Sequence, residues 1–358
     1  MRVLTVVGNR PQFVKAAPLS RALRARGTEI LVHTGQHYDP ALADLFFDEL
    51  AIPEPDHHLG IGPGTPVEQI ARMLSGLEPI MRREAPEAVV VLGDTTTTLA
   101  GALTAAKLDI PIAHVEAGLR SFDRSMPEEQ NRVVTDHLSA LLLCPTESAV
   151  ENLEREGVRE GVHLVGDVMF DACLMFGPVA ARRDAAAQYG VEAGAYVLVT
   201  VHRAAATDTL PALQSLVSVL EAIDGPAIFP IHPRTRAKLA DAGLLEHVTA
   251  IPGLSLVPPA GYLDFMSLLV SARAVLTDSG GVQKEAYFHG IPCVTVRDTT
   301  EWVETVRGGF NTLTGMDPER VREALASPSM PETRPSYYGD GDAAEQIAQA
   351  IVDLTGRA

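Results

Sequence analysis

The sequence predicts an α/β chain of two Rossmann-like, doubly wound domains, each a parallel sheet with helices on both faces. Three observations predict it. Short β-rich apolar runs alternate with longer helical stretches along the whole chain. The alternation ends near residue 168 and restarts at Tyr196. The polar segments that carry chemistry directly follow the β-rich runs, where the carboxyl ends of parallel strands face a ligand crevice.

The first series has strand candidates at Val3–Val7, Ile30–His33, Ala88–Leu92, Ile112–Val115 and Leu141–Cys144. Each is a brief run dominated by Val, Ile, Leu or Ala, too short for a helix and bounded by Gly, Pro or polar residues. Helical patterns fill the intervals at Pro18–Arg26, Pro40–Leu50, Val67–Glu84 and Thr98–Leu108. The second series has strands at Tyr196–Val201, Ile228–Ile231, Leu254–Val257, Ala274–Thr277 and Cys293–Val296. Its helices are Leu210–Ile223, Thr235–Ala242, Tyr262–Ser271 and Gln283–Phe288. The division is expected within Val165–Phe170, giving domains 1–168 and 169–341. After the turn-rich Pro328–Gly341, an amphipathic helix over Asp342–Leu354 closes the chain. No fixed-period repeat interrupts this plan.

The chain has 358 residues, 46% hydrophobic and 21% charged, within the globular range. Its formal charge of −17 excludes a nucleic-acid footprint, which needs a basic face. A small anion needs only a few local cations and stays allowed. Cys144, Cys173 and Cys293 form no CxxC pair and read as buried thiols of a reducing compartment. The first apolar run is broken at Gly8–Pro11, so it is not expected to be a signal peptide. No run approaches membrane-spanning length. The expected location is therefore cytoplasmic, with no membrane or nucleic-acid partner.

Three carboxylates stand at or just beyond the ends of strand candidates or at a helix start. Asp94 follows Val-Val-Val-Leu-Gly and opens GDTTTTL; Glu116 follows Ile-Ala-His-Val and opens EAGLRS; Glu128 lies in MPEEQNR. Acids delivered to strand ends suit proton transfer. Asp94 taken alone also serves as a helix cap, and one of Glu128 and Glu129 is explained by the helix dipole. Arg10 and Lys15, in GNRPQFVK, stand where the first strand gives way to a helix, a junction suited to phosphate, or to two solvated cations on an ordinary turn. Gln36 lies in the polar turn TGQHYD after the second strand. His33 and His37 straddle a strand end instead of sharing a helical face, so no zinc pair is expected.

In the second series, His202 and Arg203 end one strand and His232 and Arg234 end the next. His202 suits a proton donor or a phosphate ligand, and Arg203 a phosphate contact. In TDSGGVQKEA, Ser279, Gly280 and Gly281 lead from a strand into a helix. Two glycines allow close backbone approach and present N–H donors at a helix N-terminus, an anion cradle suited to a diphosphate. Glu285, one turn in, is placed to accept from ribose hydroxyls.

Assembled, these motifs resemble the non-hydrolysing UDP-N-acetylglucosamine 2-epimerases. GNRPQFVK, TGQHYD, GDTTTT, HVEAGLRS, PEEQNR, CPTE, GDVMFDA, HR, HP, DSGGVQKEA and RDTTEW run in family order from residue 8 to residue 302. The resemblance implies the GT-B architecture: two Rossmann-like domains with an inter-domain cleft, and a C-terminal helix, 342–358, packed back on the first domain. It implies Asp94, Glu116 and Glu128 as the catalytic acids. It implies Arg10, Lys15, His202, Phe265, Ser279, Gly280, Gly281 and Glu285 as holding the UDP-sugar, with Phe265 beside the uracil. It also implies a homodimer.

Three departures accompany it. Trp302 stands where several bacterial members carry a phosphate-touching Arg. Ala204, Ala205 and Ala206 follow His-Arg where Glu and Asn are usual. TGQHYD replaces the TGQHRE associated with allosteric activation, so such control is not expected.

The chemistry so implied is reversible epimerisation at carbon 2 of UDP-N-acetylglucosamine. The hydrogen on carbon 2 has no adjacent carbonyl to acidify it. Departure of UDP from carbon 1 does acidify it, so the path is elimination to a glucal and re-addition from the other face. Inversion needs proton exchange on two faces, hence several carboxylates. No metal, NAD or other cofactor is required, since nothing is oxidised. A hydrolysing 2-epimerase or a glycosyltransferase of the same architecture is the alternative, and either would release UDP. A non-catalytic sensor is disfavoured, because three acids beside an anion site weaken binding.

Overall fold

A computed structural model describes residues 1–35, 49–50, 52–328 and 330–356. Two parallel sheets organise them. The first joins β1 (Arg2–Val7), β2 (Thr28–His33), β3 (His57–His58), β4 (Ala88–Leu92), β5 (Ile112–Val115), β6 (Leu141–Cys144) and β7 (Val162–Leu164), in the order β3-β2-β1-β4-β5-β6-β7. The direction of winding reverses between β1 and β4, so loops at their carboxyl ends part and leave room for a ligand. Around it lie α1 (Arg10–Arg24), α2 (Pro66–Glu84), α3 (Thr96–Lys107), α4 (Pro127–Leu138) and α5 (Glu147–Arg155).

The chain forms two units, Met1–Met175 with Ser336–Ala358, and Phe176–Pro335. The exchange at residues 175 and 176 falls inside α6 (Val168–Ala180). The second unit carries β8 (Val197–Thr200), β9 (Ala227–Pro230), β10 (Leu254–Val257), β11 (Ala274–Thr277), β12 (Cys293–Thr295) and β13 (Asn311–Leu313), in the order β10-β9-β8-β11-β12-β13. Its switch point lies between β8 and β11. The helices are α7 (Ala204–Thr207), α8 (Leu210–Glu221), α9 (Pro233–Asp241), α10 (Leu245–Thr249), α11 (Tyr262–Val270), α12 (Gly280–His289), α13 (Val303–Arg307) and α14 (Pro318–Ala326). Two parallel, doubly wound, Rossmann-like sheets give the GT-B-like class expected from the sequence.

Apolar strands explain the layering. Leu4, Val6, Val89 and Val91 are fully buried and pack beneath Met73 and Leu77 of α2 and Ala102 and Ala105 of α3. Small residues on α3 bring that helix close to the sheet. In the second unit Val199, Phe229 and Leu276 pack against Leu216 and Leu220 of α8 and Val321 of α14. α15 (Ala343–Thr355) packs on α1 and β6 of the first unit. Its first turn is held by Asp171 of α6, whose carboxylate accepts from the backbone N–H of Ala343 at 3.3 Å and of Ala344 at 2.9 Å. Burial pushes the Asp171 carboxyl up to about 6, with these backbone donors pulling the other way.

The fold corrects several expectations. α1 starts at Arg10, not at Pro18: Asn9 caps it by accepting from the Gln12 N–H at 3.3 Å, and Pro11 occupies its first turn. The strands β3, β7 and β13, absent from the expected series, are two or three residues long and partly exposed, so they lack a continuous apolar run. α6 and the short α7 were also not expected. The helix expected at 40–50 lies almost wholly outside the described residues. Among the described residues no helix is long and apolar enough to cross a membrane.

Candidate active site

Each candidate acid of the first unit is delivered by a strand end or a helix start. Glu116 ends β5 with φ of 73°, a left-handed conformation that costs a glutamate roughly 1–2 kcal/mol. Two backbone bonds to the Leu143 carbonyl, from Glu116 N–H at 3.0 Å and Ala117 N–H at 3.2 Å, hold it there. The turn aims the carboxylate at Lys15 on α1, and the two form an ion pair with both side chains 8% exposed. Gly93, with φ of 67°, passes beside this pair. A Cβ there would come within 3.2 Å of Glu116 Oε2 and 3.5 Å of Lys15 Nζ, so glycine is needed for space as well as for conformation.

Asp94 follows Gly93 and is half-buried. Its carboxylate pairs with Arg132, and its backbone oxygen accepts from Asn131 Nδ2 at 2.9 Å. Both partners lie on α4. Glu128 is one turn earlier on the same helix face, since residues three and four apart are neighbours there. Glu128 is half-buried and makes no hydrogen bond or ion pair among the described residues. Glu129 is the structural member of the pair. It is 3% exposed, pairs with Arg132 at 3.0 Å, and accepts from Ser121 and Phe122 N–H at 2.8 and 2.9 Å. That bracing holds Phe122 at φ of 60° with its ring 73% exposed. A glycine is freer at that φ, so Phe122→Gly is expected to raise stability by about 1 kcal/mol, read as a higher urea midpoint. An unchanged or lower midpoint removes the strain.

Two further side chains bind the strand ends together. Gln12 is buried; its Oε1 accepts from Gly8 N–H at 2.8 Å, and its Nε2 reaches the Leu92 carbonyl at 2.9 Å. His114, in β5, contacts the Gly93 carbonyl and Asp136, each at 2.7 Å. Asp136 also accepts from Arg120 at 2.7 Å. Burial works to raise the Asp136 carboxyl, but His114 and Arg120 outweigh it and hold it below its ordinary value. Arg10 is half-buried at the start of α1. Gln36, expected to touch substrate, lies outside the described residues.

In the second unit, β8 and β11 end side by side. Asp278, 1% exposed, accepts from the His202 and Arg203 N–H groups at 2.9 and 2.7 Å. Its second oxygen lies 3.5 Å from His202 Nδ1. His202 stacks near His232, ring centroids 5.9 Å apart. His232 caps α9, accepting from the Arg234 N–H at 3.2 Å. Ser279 begins α12 without a side-chain cap, so the N–H groups of Gly280 and Gly281 remain in the first turn, where they have no intrahelical acceptor. A Cβ on Gly280 would meet Trp302 Nε1 at 3.2 Å. Trp302 is buried, with the Lys284 ammonium 4.1 Å from its ring centre, a cation–π contact. Phe265 is partly buried against the neighbouring core. Glu285 is buried within α12, which pushes its carboxyl up to about 7 against the pull of Lys284 and Tyr262. Ala204–Thr207 form α7 with Ala206 buried.

Among the described residues no group of three His, Cys, Asp or Glu side chains could hold a metal. Within the first unit the acids stand beside a buried lysine, an arrangement suited to proton transfer, and within the second the uncapped glycine-led helix start suits a phosphate. The sequence profile of the UDP-N-acetylglucosamine 2-epimerase family matches residues 21–352.

The chain belongs to that family.

The epimerase is 45% identical over 358 residues to a Methanococcus maripaludis UDP-N-acetylglucosamine 2-epimerase homolog, covering 99% of this chain and all of that one (100%). It is 44% identical to the Pseudomonas aeruginosa UDP-2,3-diacetamido-2,3-dideoxy-D-glucuronate 2-epimerase, again over 99% and 100% of the two chains. The Methanocaldococcus jannaschii UDP-GlcNAc 2-epimerase, solved with UDP-GlcNAc and UDP, superposes with a TM-score of 0.93 at 41% identity, covering 99% and 100%. This epimerase is therefore an isomerase of the GT-B-like class. Sequence reading expected Asp94, Glu116, His202, His232 and the Ser279–Gly281 segment at strand ends, and the fold puts them there. It missed Gln12, Asn131, Arg132, His114, Asp136 and Asp278, whose partners are up to 86 residues distant in the chain. The only signal for them was their position inside or beside the same motifs.

Proposed function

We propose that the enzyme interconverts UDP-N-acetylglucosamine and UDP-N-acetylmannosamine. The observation that carries this is the Glu116 carboxylate, paired with buried Lys15 and set against Gly93, the residue before Asp94. A carboxylate takes the proton from carbon 2 as the carbon 1–oxygen bond to UDP breaks. The electron pair of the C–H bond becomes the carbon 1–carbon 2 double bond. A second carboxylic acid returns a proton to the opposite face while the UDP oxygen re-adds to carbon 1. Asp94, Glu116 and Glu128 share these steps, with His202 as a further proton donor. The N–H groups at Gly280 and Gly281, with Arg10, Arg203 and His232, stabilise the departing diphosphate. Gln36 and Ser279 bind the substrate, Glu285 the ribose, and Phe265 the uracil. The motif resemblance supports these roles, and it supports a cytoplasmic homodimer.

A second substrate has a specific observation in its favour. The Pseudomonas relative, 44% identical, is named for a diacetamido-glucuronate. Ala204–Ala206 depart from the residues that usually follow His-Arg in the family. Both UDP-sugars should be incubated with the enzyme in D2O and followed by NMR. Deuterium at carbon 2 with appearance of the 2-epimer, and UDP released in less than stoichiometric amount, is expected for UDP-N-acetylglucosamine. Exchange with the uronate alone would transfer the activity to that substrate. Stoichiometric UDP release would make the enzyme a hydrolase.

A further inference from the structure

His114 has no place in the proton transfers above, yet it is wholly buried between the two strand ends that carry Asp94 and Glu116. Its Nε2 lies 2.7 Å from the Gly93 carbonyl. A carbonyl oxygen only accepts, so Nε2 carries the hydrogen. Its Nδ1 shares a proton with Asp136 Oδ1 at 2.7 Å. The other Asp136 oxygen accepts from the Gly118 N–H at 3.2 Å and from Arg120 Nη1 at 2.7 Å. Arg120 in turn makes a two-bond fork to Glu156 at 2.7 and 2.8 Å. Gly93 precedes Asp94 in the chain, and Gly118 follows Glu116 by two residues. One imidazole and one carboxylate thus tie both acid-bearing turns to α4, the helix that also holds Asp94 through Asn131 and Arg132.

We propose that His114, seated on Asp136, is a positioning residue for the epimerisation: it fixes the Gly93–Asp94 peptide relative to the Glu116 turn. The role rests on the function proposed above. Reaction between groups held in one geometry is steep in distance, and a displacement near 1 Å costs about 100-fold in rate. A buried network with every member bonded is rigid, which is the property such positioning needs.

The amide of asparagine can stand in for Nδ1 and that of glutamine for Nε2. His114→Asn keeps the donor toward Asp136 and loses the Gly93 tether; His114→Gln keeps a donor within reach of Gly93. Steady-state kinetics on the full-length enzyme should show kcat of His114→Asn about 100-fold down with KM within threefold of wild type. His114→Gln should return to within about fivefold of wild type, although it gives up the bond to Asp136. A merely structural histidine would make both lose activity in step with their melting temperatures. His114→Asn turning over within threefold of wild type, or His114→Gln losing as much as His114→Asn at equal melting temperature, overturns the proposal. Should His114→Asn yield no soluble protein, His114→Phe, which removes the Gly93 tether while filling the space, is read instead, and kcat within threefold of wild type overturns the proposal equally. Wild-type enzyme run alongside separates the two levels: its failure to epimerise sinks the function, not the positioning role.

Discussion

Glu116→Gln is expected to lower kcat by about 10³-fold while leaving UDP binding within a few-fold of wild type. Removing a general acid or base costs typically 10²–10⁴ in rate, and glutamine matches glutamate in shape without taking a proton. The pair with Lys15 complicates the variant in an informative way. Both side chains are 8% exposed, so the substitution leaves a buried ammonium facing a neutral amide. Breaking a buried pair from one side costs roughly 3–5 kcal/mol. Lys15→Met should therefore recover part of the stability of Glu116→Gln without recovering turnover. Thermal melts, isothermal titration with UDP and rate measurements on the two single variants and the double variant close the cycle. Turnover by Glu116→Gln within tenfold of wild type would remove Glu116 from the proton path.

Glu285 gives the second large effect, and it runs against intuition: Glu285→Gln should stabilise the free enzyme at alkaline pH. Burial pushes this carboxyl from 4.5 up to about 7, outweighing Lys284 and Tyr262. The unfolded chain then gives up this proton more readily than the folded one. The contribution to stability is fully present below pH 4.5 and is lost as pH rises through about 7. One unit is worth 1.36 kcal/mol, so the loss between those limits is at most about 3 kcal/mol. Denaturant melts of wild type and Glu285→Gln at pH 4.5 and pH 8 isolate it, because Asp171, raised to about 6, is common to both proteins. A difference between the two proteins that does not change with pH would refute the linkage. The stabilised variant should bind UDP about tenfold more weakly, since a charged acceptor for the ribose hydroxyls is exchanged for a neutral amide. A carboxylate kept in a place that destabilises the free protein is what a binding residue looks like.

Much of this site was legible in the chain because α/β topology maps chain order onto space. A polar segment immediately after a buried parallel strand must emerge at the carboxyl edge of the sheet. GDTTTT, EAGLRS, the two His-Arg segments and DSGG all emerge there. The strands Ala88–Leu92, Ile112–Val115, Leu141–Cys144 and Ala274–Thr277 were readable to the residue for the same reason: strands buried on both faces are continuous apolar runs. Edge strands β3, β7 and β13 have no such run and left no trace. α1 was read eight residues late because Pro11 and Pro18 look like breaks, whereas Pro11 sits in a first turn whose N–H groups need no intrahelical partner.

The sequence by itself determined that two Rossmann-like sheets would form, that carboxylates, histidines and a glycine-led helix start would stand at their strand ends, and which family the motifs resemble. Those are properties of local pattern and motif order. The tertiary structure decided which of the two adjacent glutamates is structural. Glu129 is buried under the Ser121–Phe122 turn and bound to Arg132, while Glu128, unbonded among the described residues, lies one turn before Asn131 and Arg132, which hold Asp94. It also decided that Glu116 is turned into a left-handed conformation against Lys15, and that His114 and Asp136 clamp its turn to that of Asp94. Each of these depends on a bond between side chains distant in sequence. Such bonds are set by how helices seat on the sheet, which periodicity and propensity do not encode.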